Sequence, residues 1–84
     1  MKRIYVITAV HYDLIRQFAT DDSKDATEVM INWMKDFARD LNTGINDVED
    51  IEKEMRAKCY YGSDEDLCFS LDEFSIYYRR FLIQ

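Results

Sequence analysis

"SLDEFSIYYRRFLIQ", residues 70–84, decides the fold of this chain because it satisfies two periodicities at once. With a period of two, Phe74, Ile76, Tyr78 and Leu82 share one face, as in a half-buried strand. With a period of 3.6, Ser70 and Glu73 form a capping box ahead of a stripe of Leu71, Phe74, Tyr78, Phe81 and Leu82. Aromatic and β-branched side chains crowd the segment and fit a pleated surface better than a helix. A strand is therefore expected, and a helix over 71–82 is the alternative.

Working back from it, Gly62, Ser63 and the acidic run Asp64, Glu65 and Asp66 mark a turn between "CYY" and "LCFSL", which both alternate like strands. A hairpin there would set Cys59 nearly opposite Cys68, close enough for a disulfide to be geometrically feasible. No secretion signal is visible, so two reduced thiols are the expectation.

Further back, "NDVE" at residues 46–49 is a capping box that opens a helix with buried positions Val48, Ile51, Met55 and Cys59. Before it, Asp22 or Ser23 caps a longer helix whose stripe is Ala26, Val29, Met30, Trp33, Met34, Phe37, Ala38 and Leu41. Asp25 and Glu28 sit in its first turn and Lys35 and Arg39 toward its end, which suits the helix dipole. Gly44 supplies a left-handed stop.

The join between the helices, "DLNTGINDVEDI" at residues 40–51, has the look of a calcium loop. Its sixth and twelfth positions, however, are Ile45 and Ile51, where an EF-hand needs Gly and a bidentate Glu. A helix stop followed by a capping box accounts for the stretch without metal. At the amino end, "RIYVITAV" reads as a strand over Lys2–His11, buried on both faces or nearly so. Residues 14–19 suit either a second strand paired with it or a lead into the helix.

The expected fold is one α+β domain over residues 1–84: a small antiparallel sheet with two helices packed on one face, in the order β(β)ααββ. With 48% apolar residues and no proline, 84 residues suffice for one core. No run approaches the ~20 apolar residues of a membrane span, and a soluble, cytoplasmic protein is expected.

Charge is the most informative feature for function. The formal net charge is −6. Residues 21–66 hold fourteen acidic and six basic side chains, whereas residues 1–20 hold one and three, and residues 67–84 two of each. Nucleic acid and anionic lipid are disfavoured as direct ligands, because those affinities come largely from Lys and Arg. On the second helix, Asp47, Asp50 and Glu54 share a face beside Glu49. With Asp21, Asp22 and Asp25 at the head of the first helix and Asp64, Glu65 and Asp66 in the turn, they are the candidate partner-binding residues.

Chemistry finds little support. His11 is the single histidine and Asp13 its nearest carboxylate, with no nucleophile argued beside them. Two thiols and one distant His do not make a zinc pattern, two glycines do not make a phosphate loop, and neither metal nor cofactor is expected. "YYRR" supplies Tyr77, Tyr78, Arg79 and Arg80, residue types enriched at interface hot spots. As a strand it must turn one Tyr and one Arg away from the core. Together with Lys2, Arg3 and Arg16 these residues could stack RNA bases, a use the acidic half of the molecule opposes.

The expectation is thus a small acidic protein without enzymatic activity that covers a basic surface of another protein, for example a nucleic-acid-binding enzyme. A sharper version is an inhibitor that imitates nucleic-acid charge, by analogy of size and charge with phage-encoded and immunity-type inhibitors. The alternative is a homodimerising or complex-subunit module that uses the aromatic sheet face.

Overall fold

The computed structural model describes residues 2–40, 45–71 and 73–84. Its elements are β1 (Lys2–His11), β2 (Leu14–Thr20), α1 (Ser23–Asp40), α2 (Ile45–Cys59), β3 (Leu67–Leu71) and β4 (Phe74–Ile83). The four strands form one antiparallel sheet in the order β2-β1-β4-β3, with both helices packed on one face. The α+β class and the ββααββ order agree with the sequence reading, and the ambiguous carboxy-terminal segment is a strand.

Strand β4 is favoured over a helix because its period-two face has a ten-residue partner. Each residue of β4 pairs with β1, from Lys2↔Ile83 to His11↔Phe74. The pairing puts Phe74, Ile76 and Tyr78 opposite His11, Ala9 and Ile7 on the helix-covered face. Phe69 and Leu71 of β3 extend that face. Fully burying such side chains contributes about 1.5–3 kcal/mol each, more than the capping box offers the competing helix.

Residues 14–19 belong to a strand, β2, joined to β1 through Tyr12 and Asp13. The tight turn holds Tyr12 at φ 53°, a left-handed backbone that L side chains seldom adopt. The expectation that β1 is buried on both faces is corrected: Tyr5, Ile7 and Ala9 are buried, while Ile4, Val6, Thr8 and Val10 remain half-exposed. Two helices cover only one side of the sheet, so the other face of β1 lacks a lid.

Helix α1 starts as capping chemistry requires. Asp22 Oδ1 accepts from the Lys24 amide at 2.8 Å, which makes Asp22 the cap. Asp25 and Arg39 complement the dipole at the two ends. Of the expected stripe, Ala26, Met30, Met34, Phe37 and Ala38 are buried, Val29 and Trp33 are half-buried, and Leu41 lies outside the described residues; Thr27 and Ile31 are buried as well. Ile31 lies three residues after Glu28 and four before Lys35, both ion-paired to α2, so α1 carries one apolar face for the sheet and a second for its neighbour. The Thr27 hydroxyl donates to the Ser23 carbonyl at 2.8 Å and is satisfied without water.

Helix α2 buries Val48, Met55 and Cys59, with Ile51 packed at the edge. It begins at Ile45, one residue before the expected cap; the Asn46 side chain and Gly44 lie outside the described residues. A further correction concerns "CYY", which is not a strand. Cys59 ends α2 as the last member of its apolar stripe, and Gly62, at φ +90°, closes the helix by donating to the Cys59 carbonyl at 2.9 Å. Residues 60–66 therefore link a helix to a strand, and no hairpin faces Cys59 to Cys68. Both thiols are free: Cys59 is buried under the helices, while Cys68 is exposed and paired with Tyr77 in the sheet.

Candidate functional site

Two surfaces compete for a role. The first is the carboxylate set, which the structure divides. Ion pairs Glu28–Arg56 at 2.6 Å and Lys35–Glu52 at 3.3 Å show that α1 and α2 run antiparallel, so the start of α2 lies beside the end of α1. Ser23 Oγ donates to the Tyr60 carbonyl at 3.0 Å, fixing the start of α1 against the 60–66 turn. Asp21, Asp22, Asp25, Asp64, Glu65 and Asp66 thus gather at one end of the helical layer. Glu49 and Asp50 lie at the other end; the Asp47 side chain is outside the described residues.

Several of these anions are already matched. Asp64 accepts from Arg80 at 2.6 Å, Glu54 from Lys58 at 2.8 Å, and Asp21 lies 3.9 Å from Lys2. Between the two ends, Arg56 bridges Glu28 and Glu52. The hydrogen bond to Glu28 raises the Arg56 pKa, and that to Glu54 raises the Lys58 pKa. Among the described residues Asp22, Asp25, Glu49, Asp50, Glu65 and Asp66 have no salt bridge, and Asp22 is engaged as a cap. The ten candidates do not form a single patch: six lie together at one end. Tyr61, 85% exposed, stands in the same turn and was not singled out from the sequence.

The second surface is the uncovered face of the sheet. Register places Ile4 opposite Phe81, Val6 between Ala19 and Arg79, Thr8 between Gln17 and Tyr77, and Val10 between Ile15 and Ser75. Opposed residues share a face, so all of these point away from the helices. Ile15 is 65% exposed, Phe81 49% and Ile83 50%. The tip Lys2, Arg3, Ile4 with Phe81, Leu82, Ile83 projects past the outer strands, since β2 ends opposite Tyr5 and β3 begins opposite Tyr78. Exposed apolar side chains thus lie on both sides of the Thr8, Gln17 and Tyr77 row of that face.

The "YYRR" residues divide as strand geometry demands. Tyr77 and Arg79 face outward, while Tyr78 and Arg80 face the helices. Tyr78 is wholly buried, and its hydroxyl accepts from the Ser63 amide at 3.0 Å. Burial pushes its phenol pKa up to about 12. Arg80 Nε is buried with no hydrogen-bond partner among the described residues. Across the open face, Thr8, Val10, Gln17, Tyr77 and Arg79 line a shallow depression of about 250 Å³. Ile4, Val6, Ile15, Phe81 and Ile83 were missed at the sequence level, although the odd positions of β4 carry the signal once two helices are known to cover only one face.

His11 does not assemble a reactive centre with Asp13, and no hydrogen bond or ion pair joins them among the described residues. Its ring packs edge-on against Phe37 at 4.5 Å and beside Tyr12 at 4.6 Å, and Phe37 in turn stacks on Phe74 at 4.1 Å. The adjoining cleft, with Arg16, Trp33 and Asp36, encloses about 80 Å³, small beside the ~300–1,000 Å³ of ligand pockets. Among the described residues no cluster of His, Cys, Asp and Glu has the grouping a metal ion needs, and no helix is long and apolar enough to cross a membrane. Compared with known protein families, curated proteins and solved structures, the chain has no match.

Proposed function

We propose that this is a cytoplasmic protein without catalytic activity, which works by binding a protein partner, a second copy or a different chain, through the open face of its sheet. The observation that carries the proposal is a sheet face that neither helix covers and on which Ile15, Tyr77, Phe81 and Ile83 are exposed. Tyr77 and Arg79 at its centre belong to the types that anchor interfaces. The test is partner capture from source-cell extract by the wild type and by an Ile15→Glu/Phe81→Glu variant. Loss of the captured protein in the variant, with binding by the wild type unaffected by high salt, is expected. Equal capture by both would overturn the proposal.

A second reading is the acidic protein that covers a basic surface, including the form that mimics nucleic acid. What favours it is that Asp22, Asp25, Glu65 and Asp66 lie at the end of the helices where Ser23 bonds the Tyr60 carbonyl, the end that also holds the exposed Tyr61. Under this reading capture falls steeply with salt, and charge reversal at Glu65 and Asp66 abolishes it. Reversal at Asp50 and Glu54 examines the other end.

A further inference from the structure

We infer that the occupant of the open sheet face is a second copy of this chain, the two sheets stacking face to face with the helices outward. The inference rests on the sheet-face reading above. Charge selects the partner. All 17 Asp and Glu residues lie outside the four strands, and Asp21, just past β2, is matched by Lys2 at the edge of this face. A basic partner would find no unmatched counter-charge among the strand residues. A polyanion would meet Lys2 and Arg79 there, on a chain of net charge −6. A second copy meets neither obstacle: stacked sheets lie ~10 Å apart, and the acidic helices then sit on the two outer sides, beyond the ~8 Å screening length of physiological salt.

The pattern on the face also suits itself. Thr8, Gln17 and Tyr77 form a polar row across the middle, with Val10, Ile15 and Ser75 on one flank and Val6, Ala19 and Arg79 on the other. A twofold axis along the row lays Val6 and Ala19 against Val10 and Ile15, and the Arg79 guanidinium against the Ser75 hydroxyl, of the other copy. Two ten-residue central strands flanked by strands of seven and five cover roughly 500 Å² in projection at ~3.3 Å per residue and ~4.8 Å per strand. Side-chain relief raises the accessible area toward the ~800 Å² per partner of a stable interface.

The experiment is sedimentation equilibrium of the purified chain from about 5 to about 500 µM, with amide shifts recorded over the same dilution. A mass rising to twice that of the chain is expected, with shifts concentrated on Val6, Thr8, Val10, Tyr77, Arg79 and Phe81. Ile15→Glu/Phe81→Glu is expected to remain monomeric with the thermal melt of the dilute, monomeric wild type, and Tyr61→Glu to dimerise as the wild type does. A monomer throughout the range, or a dimer whose shifts map to the helices, overturns the inference. Because the dilution shifts need no variant, a double variant that fails to fold leaves the test intact. A wild-type monomer whose foreign partner is lost in the double variant would sink the second copy alone and leave the sheet-face reading standing.

Discussion

Replacing Tyr78 by Phe is expected to destabilise the protein at neutral pH and to become harmless near pH 11. The side chain is fully buried at the junction of β4 with the 60–66 turn, its ring 5.7 Å from that of Tyr5. Its hydroxyl is the acceptor for the Ser63 amide. Removing it leaves that amide without its partner, at a cost of about 1–2 kcal/mol, since Ser63 is half-exposed and water can partly replace the lost bond. For a domain of this size the melting temperature should fall by about 4–8 °C per kcal/mol.

Ionisation reverses the comparison. Burial lifts the phenol from 10.0 to about 12, against the opposing effect of the Ser63 hydrogen bond. Above pH 10 the unfolded chain therefore releases this proton while the folded chain retains it. Stability contributed by the neutral phenol is complete below pH 10 and is lost as the pH rises toward 12, at up to ~1.4 kcal/mol per pH unit. By pH 11 the wild type has lost about 1.4 kcal/mol that Phe cannot lose, close to the cost of the missing hydrogen bond. Urea titrations of both proteins at pH 7, 9 and 11, read by far-ultraviolet circular dichroism, measure the difference directly, and all other titrating groups cancel in it. A gap between the two proteins that stays constant from pH 7 to pH 11 would refute the assignment of Tyr78 as the buried phenol.

Other substitutions test the packing. Met55→Ala, at a wholly buried position of α2, should cost about 2–5 kcal/mol in urea unfolding, a large share of the stability of a small domain. Gly62→Ala forces a side chain onto a φ of +90° and brings its Cβ within 3.0 Å of Tyr5 Oη; a loss of about 1–3 kcal/mol is expected, and an unchanged melt would refute the strained turn. The thiols should differ in reactivity: Cys68 is exposed, whereas burial pushes Cys59 up to about 12. A chromogenic disulfide reagent at pH 8 should therefore titrate one thiol in the native protein and two in urea.

The amphipathic stripes of α1 and α2, the Asp22 cap and the extent of β1 were legible in the sequence because each depends on local spacing or on a hydrogen bond within a few residues. The carboxy-terminal strand was legible only as a preference. Its helical and extended patterns are both locally sound, and the ten-residue pairing with β1 decides between them from seventy residues away. "CYY" misled because three alternating residues cannot be told from the end of a helix. The buried stripe through Cys59 and the left-handed Gly62 settle that assignment.

The candidate sites divide along the same line. Composition by itself determined that the carboxylates avoid the strands, since strand segments and charge are both local properties of the chain. Only the tertiary structure decided which anions are matched, as Asp64 by Arg80 sixteen residues later, and that they gather at opposite ends of antiparallel helices. It alone left one face of the sheet bare. An alternating strand states that it has two faces; whether anything covers the second depends on how many helices the chain forms, and the described residues form two, both on the same side.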